Sequence, residues 1–186
     1  MTKSNDEVFY PITNQIETME FPKILLDKIS YNLREKNESI AIAESVTSGL
    51  LQLAFSHMPS AQQFFKGGIT AYSIEEKVKH LNIDYDEAKE VNCVSRNICE
   101  KMAQSVASLF DSDWSIATTG YATPVEDSDN HIFAYYCIAY QGTIIRSDKI
   151  ELHPLTKAFD AQKYFMEYIL GCLRCEVKRD HSKVII

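Results

Sequence analysis

Three residue types that can run acyl transfer recur in the first half of the chain: a hydroxyl at Ser45, a phenol at Tyr72 and an amine at Lys77. Ser45 falls in the segment Glu44–Gly49, between a short apolar run and a longer helical one, where a strand would turn into a helix. Free backbone N–H groups gather at such a turn, so Ser45 has the position of a nucleophile and the N–H groups around Thr47–Gly49 that of oxyanion donors. Read alone, the segment favours a helix cap built from Ser45, Thr47 and Ser48, since hydroxyl side chains satisfy the first N–H groups of a helix. Tyr72 and Lys77 shift that balance, because they follow a second predicted strand and would reach the same sheet end. A lysine serves as a base there only if burial depresses its pKa from about 10.4. The competing reading of Lys77 is a solvated helix residue beside Glu75 and Glu76.

The elements that must place these groups are legible from periodicity. Phe21, Leu25, Ile29 and Leu33 recur at helical spacing, with Ile24 and Leu26 widening the stripe and Asn37 ending it. Ser39–Ala43 reads as a buried strand and Leu50–Met58 as the helix after the turn. Gly67–Tyr72 reads as a strand and Ser73–Leu81 as a short helix capped by its serine. Ile98, Met102, Val106 and Phe110 mark a further helix over Ser95–Phe110, and Trp114–Thr119 a third strand. Ile132–Tyr140 and Thr143–Leu152 flank Gln141-Gly142 as an antiparallel hairpin, and Ala158–Leu173 closes as a helix. The order predicts an α/β domain with a mixed sheet, helices on both faces and a C-terminal antiparallel hairpin. The expected limits are a polar lead-in over 1–17, one domain over 18–175 and a tail over 176–186.

Composition bounds the function. A chain of 186 residues fits one domain. The formal charge of −7 argues against nucleic-acid or membrane-surface binding, which needs concentrated Lys and Arg. No apolar run approaches the roughly 20 residues of a spanning helix, and the first residues lack a signal-peptide pattern, which points to the cytoplasm. Five cysteines form an odd set that suits reduced thiols. Cys172 and Cys175 form a C-x-x-C inside a helical pattern, where core packing is favoured over a metal, and the five histidines share no ligand spacing. No metal or cofactor is expected. Phe133, Tyr135 and Tyr136 read as strand packing.

Ala43–Gly49 (AESVTSG) resembles the AESCTGG signature of the CinA C-terminal domain family, with Val46 for the cysteine and Ser48 for the first glycine. Phe64–Lys77 (FFKGGITAYSIEEK) is similar to that family's F-x-x-G-x-x-x-Y-S-N-x-x-K, with Ile74 for the asparagine. Thr119–Pro124 resembles its S-G-I-A-G-P loop, keeping Gly120, Ala122 and Pro124. The likeness runs from about residue 20 to 173. It implies a metal-independent amidohydrolase that deamidates a small-molecule substrate, nicotinamide mononucleotide, and forms a homodimer. Ser45 would attack the carboxamide, Lys77 accept its proton and Tyr72 orient or relay. Thr47, Ser48, Gly49, Gly120, Ala122 and Thr123 would border the substrate.

The departures carry expectations of their own. Thr123 replaces a glycine, and the glycine-rich stretch after Pro124 is here the acidic Val125–Asn130, with Glu126, Asp127 and Asp129. The family's G-D-R turn reads Pro154-Leu155-Thr156, so its phosphate-binding arginine is missing; Arg146 and Lys157 are the substitutes to consider. Weak or absent turnover of nicotinamide mononucleotide is expected. The alternative is a catalytically inactive relative that binds a nucleotide or a protein partner. A Tyr/Lys oxidoreductase is disfavoured, because no G-x-G-x-x-G precedes Tyr72 and Lys77.

Overall fold

The structure, a computed structural model, describes residues 19–179 and 181. The expected lead-in and most of the expected tail lie outside the described residues. Five strands, β1 (Ile40–Glu44), β2 (Phe65–Thr70), β3 (Trp114–Tyr121), β4 (Ile132–Tyr140) and β5 (Thr143–Leu152), form one sheet in the order β2-β1-β3-β4-β5. β1 pairs in parallel with β2 and β3, while β3–β4 and β4–β5 are antiparallel. This is the mixed α/β sheet with a C-terminal hairpin that the sequence predicts. Gln141 and Gly142 both adopt positive φ, +47° and +76°, which suits a two-residue hairpin turn.

The period-two alternation of β1 divides the core. Ile40 and Ile42 face a cluster shared with α1 (Lys23–Glu35), α2 (Leu50–Ser56) and α6 (Ala158–Val177), which includes Leu26, Phe55 and Phe165. Ala41 and Ala43 face a cluster shared with α3 (Ile74–Leu81), α4 (Tyr85–Glu90) and α5 (Arg96–Phe110). Small residues on that side of β1 let α5 pack close, with Ile98, Met102 and Val106 fully buried. Helices thus cover both faces.

Several details differ from the pattern reading. Ile24 is 72 % exposed, so the α1 stripe is narrower than expected. The second strand begins two residues earlier and ends at Thr70, because its register is set by pairing with β1. α4 escaped periodicity, since Ala88 is its only buried residue. α6 continues past Cys175 to Val177, with Glu176 and Val177 buried, and His181 packs edge-on against Trp114. The domain therefore runs beyond the expected limit at 175. Glu176 breaks the apolar pattern yet stays buried because Arg179 binds both its oxygens, at 3.1 and 2.9 Å.

Candidate functional site

The three parallel strands end on one edge of the sheet. β1 delivers Ser45, β2 leads through Ala71 to Tyr72, and β3 ends in Thr119, Gly120 and Tyr121. Between β1 and β3 the connections pass to opposite faces of the sheet, which is where open α/β sheets collect ligands. A cavity of about 410 Å³ opens there, with Ser45 and Lys77 in its lining and Ala158 and Gln162 of α6 across from them.

Glu44 organises the turn. It ends β1 fully buried. One carboxylate oxygen accepts the Thr47 hydroxyl at 2.6 Å and the N–H groups of Gly49 and Leu51, both at 3.1 Å; the other accepts the N–H of Gln52 at 2.8 Å. The start of α2 is therefore capped by a carboxylate from the preceding strand, and its negative charge complements the helix dipole. Ser48 and Gly49, at φ +51° and +96°, bend the chain sharply enough for this return, and the glycine takes its left-handed conformation without steric cost. Thr47 is locked by a second contact, 2.9 Å to the Thr118 hydroxyl.

That arrangement releases Ser45 from capping. Its hydroxyl accepts a hydrogen bond from the Lys77 ammonium at 3.1 Å, and both residues are buried, at 7 % and 2 % exposure. Lys77 reaches it from the first turns of α3, whose N-cap is Ser73, accepting from the Glu76 N–H at 3.3 Å. Among the described residues the only other acceptor of the Lys77 ammonium is the Tyr72 carbonyl at 3.4 Å, and Lys77 has no ion-pair partner there. Burial without a countercharge disfavours the ammonium, so the Lys77 pKa is pushed below its usual value, with the nearby Cys93 opposing weakly. The solvated-helix reading of Lys77 is thereby replaced by a buried one. Burial likewise pushes the Cys93 thiol up.

The other expected site residues separate into groups. Tyr72 lines the cavity but is 76 % exposed, and its carbonyl, rather than its phenol, holds Lys77. Ser45 and Lys77 touch directly, so no relay is needed between them. The Gly49 N–H is committed to Glu44 and the Ser48 N–H to the Ser45 carbonyl, which removes both as oxyanion donors. Thr47 turns its side chain into the core, away from the cavity lining. The N–H groups of Val46 and Thr47 make no hydrogen bond among the described residues; Val46 lines the cavity while Thr47 is fully buried, which leaves the Val46 N–H as the available donor beside Ser45. Gly120, Ala122 and Thr123 do line the cavity. Gly120 has a packing reason as well: a Cβ there would lie 2.2 Å from the Phe133 carbonyl oxygen. Arg146 is engaged elsewhere, donating to the Tyr136 hydroxyl at 2.8 Å and lying 3.7 Å from Glu176. Neither it nor Lys157 lines the cavity.

Sequence reasoning missed two contributors. Gln162 donates to the Val46 carbonyl at 3.1 Å and to the Ser48 hydroxyl at 3.2 Å, tying α6 to the turn across more than a hundred residues. Asn92, in the α4–α5 turn, donates to the Tyr121 hydroxyl at 3.0 Å and to Asp127 at 2.9 Å. Asn92 and Cys93 take consecutive positive φ angles, +46° and +58°, a strained turn of the sort that clusters at functional sites. Cys172 is buried and Cys175 exposed, and no group of His, Cys, Asp or Glu suited to a metal occurs among the described residues. No helix among them is long and apolar enough to cross a membrane.

Comparison with known proteins fits this geometry. The family model for the CinA C-terminal domain matches residues 23–161. A CinA-like protein of Prochlorococcus marinus (strain MIT 9215) is 36% identical over 155 residues, 82% of this chain and 36% of that protein. One from Picosynechococcus sp. (strain ATCC 27264 / PCC 7002 / PR-6) is 29% identical over 155 residues, 81% of this chain and 36% of that protein. The chain thus spans little more than a third of the length of these relatives. Among solved structures, a competence-damaged protein (CinA) superfamily protein from Enterobacter cloacae superposes with a TM-score of 0.78 at 20% identity, covering 95% of this chain and 99% of that one. A competence or damage-inducible protein from Enterobacter asburiae gives 0.76 at 22% identity, with coverages of 82% and 96%. With the family model matching residues 23–161 and a relative 36% identical over 82% of its length, the chain belongs to the CinA C-terminal domain family.

Proposed function

We propose that the protein is an amidohydrolase that uses Ser45 as nucleophile and Lys77 as base on a carboxamide. The observation that carries this reading is the 3.1 Å contact between two buried side chains at the edge of a cavity, with the amine disposed toward its neutral form. A neutral Lys77 takes the Ser45 proton as the hydroxyl oxygen attacks the carboxamide carbon. The Val46 N–H, unengaged and on the cavity lining, is the donor for the oxyanion that forms. As the intermediate collapses, the Lys77 ammonium returns the proton to the leaving nitrogen, the C–N bond breaks and ammonia departs. Water, deprotonated by Lys77, then hydrolyses the ester on Ser45 and yields the carboxylate. Glu44 and Gln162 act through the turn, holding its backbone in place.

The test is ammonia release from nicotinamide, its riboside and its mononucleotide by wild type and by Ser45→Ala. Release by wild type that Ser45→Ala abolishes, with thermal stability nearly unchanged, is expected. Release from none of the three, or a Ser45→Ala variant that turns over like wild type, would reject the reading in favour of a binding protein.

A further inference from the structure

The charge of the cavity wall points to the class of substrate, and this step rests on the amidohydrolase reading of the same site. Among the described residues Lys77 is the sole lysine or arginine in the lining, and burial lowers its pKa. Among the described residues the sole carboxylate in the lining is Asp127, carried by the short 3-10 helix Glu126–Ser128, with Glu126 exposed beside it. One Asp127 oxygen accepts from Asn92 at 2.9 Å; the other makes no hydrogen bond among the described residues. Asn92 fixes this carboxylate and the Tyr121 hydroxyl together, so this wall presents an oriented acceptor and, among the described lining residues, no cationic side chain besides Lys77. An adjoining groove of about 570 Å³ shares Asn92, Val94, Tyr121 and Asp127 with the cavity and adds Lys89, but sets Glu90 beside it.

A phosphomonoester brings roughly −1.5 to −2 charges at neutral pH and requires donors and cations to replace its water. This wall offers it repulsion. An N-glycosylated pyridinium carboxamide without phosphate brings one positive charge and two ribose hydroxyls that can donate to a carboxylate oxygen, which is what the wall is built to receive. We infer that Asp127, oriented by Asn92, selects cationic, phosphate-free carboxamide nucleosides over the corresponding phosphorylated nucleotides.

The experiment compares nicotinamide riboside with nicotinamide mononucleotide, which differ only in the phosphate, by kcat/KM and by calorimetric Kd on wild type and Asp127→Asn. The Asn variant keeps an amide oxygen to accept from Asn92, so the wall keeps its shape while losing its charge. Wild type is expected to favour the riboside, and Asp127→Asn to shift the ratio about tenfold toward the mononucleotide, as one charge removed at several ångströms dictates. A wild-type preference for the mononucleotide, or a ratio that Asp127→Asn leaves unmoved, would overturn the inference. Calorimetry separates the two failures: tighter riboside binding without hydrolysis supports this selectivity while rejecting the amidase, and binding of neither overturns both.

Discussion

Replacing Glu44 with Gln asks whether one buried carboxylate holds the catalytic turn. The carboxylate accepts four hydrogen bonds, three from backbone N–H groups of Gly49, Leu51 and Gln52 and one from the Thr47 hydroxyl. The amide has a single oxygen. If that oxygen occupies the position serving Thr47, Gly49 and Leu51, the amide nitrogen must face the Gln52 N–H, donor against donor. A hydrogen bond to a charged group contributes about 1.5–3 kcal/mol, and the three survivors weaken toward the neutral range of about 0.5–1.5 kcal/mol each. Relief from burying a charge offsets part of this loss. The net expectation is a destabilisation of about 3 kcal/mol, which lowers Tm by about 6–12 °C for a chain of this size. Urea and thermal denaturation read it directly. In the folded fraction, carboxamide turnover is expected to fall too, because Ser45 precedes the segment that loosens. A loss under about 1 kcal/mol with full activity would refute the assignment of the turn to Glu44.

Two further substitutions probe the frame. Lys77 has its folded pKa lowered by burial, so the folded state binds fewer protons than the unfolded one between that value and about 10.5. Its cost to stability is full below the folded pKa and fades as pH rises through that window; Lys77→Met is therefore expected to show its largest stability advantage near pH 7 and a smaller one near pH 10, read by urea denaturation, and an advantage that grows with pH would contradict the sign. Gly120→Ala sets a Cβ 2.2 Å from the Phe133 oxygen and 2.7 Å from the Ala134 Cα. Forcing β3 and β4 apart is expected to cost about 2–3 kcal/mol, and a neutral effect on Tm would show that the glycine serves the ligand alone.

The parts of the fold that follow from nearest-neighbour chemistry were open to sequence reasoning. Ser73 caps its helix as the sequence predicts, accepting from the N–H three residues on, and Ser95 does the same for α5. The hairpin at Gln141-Gly142 has the strands read from alternation alone. Ser45 and Lys77 were placed at one sheet end by strand order, and the structure brings them into contact. What stayed hidden depends on distant segments meeting. Glu44 reads as a charge at the end of an apolar strand until the turn folds back on it, and only then does it displace Ser45 and Thr47 as the cap. Gln162 and Asn92 carry no local signal, since their partners lie on other elements. The course of α6 past Cys175 was obscured by Glu176, whose burial makes sense only with Arg179 and His181 in place.

The central claim is that Lys77 removes the Ser45 proton, and the pH dependence of kcat/KM for carboxamide hydrolysis tests it most directly. Wild type is expected to gain rate as pH rises through the depressed Lys77 pKa and to level off above it, because the neutral amine is the active form. Lys77→Arg, which keeps a cation that cannot deprotonate, is expected to lose about 10²–10⁴ in rate and the alkaline rise with it in the folded fraction, with a lowered Tm because a permanent charge is buried. A folded Lys77→Arg variant that matches wild type in rate and in pH profile would contradict the account.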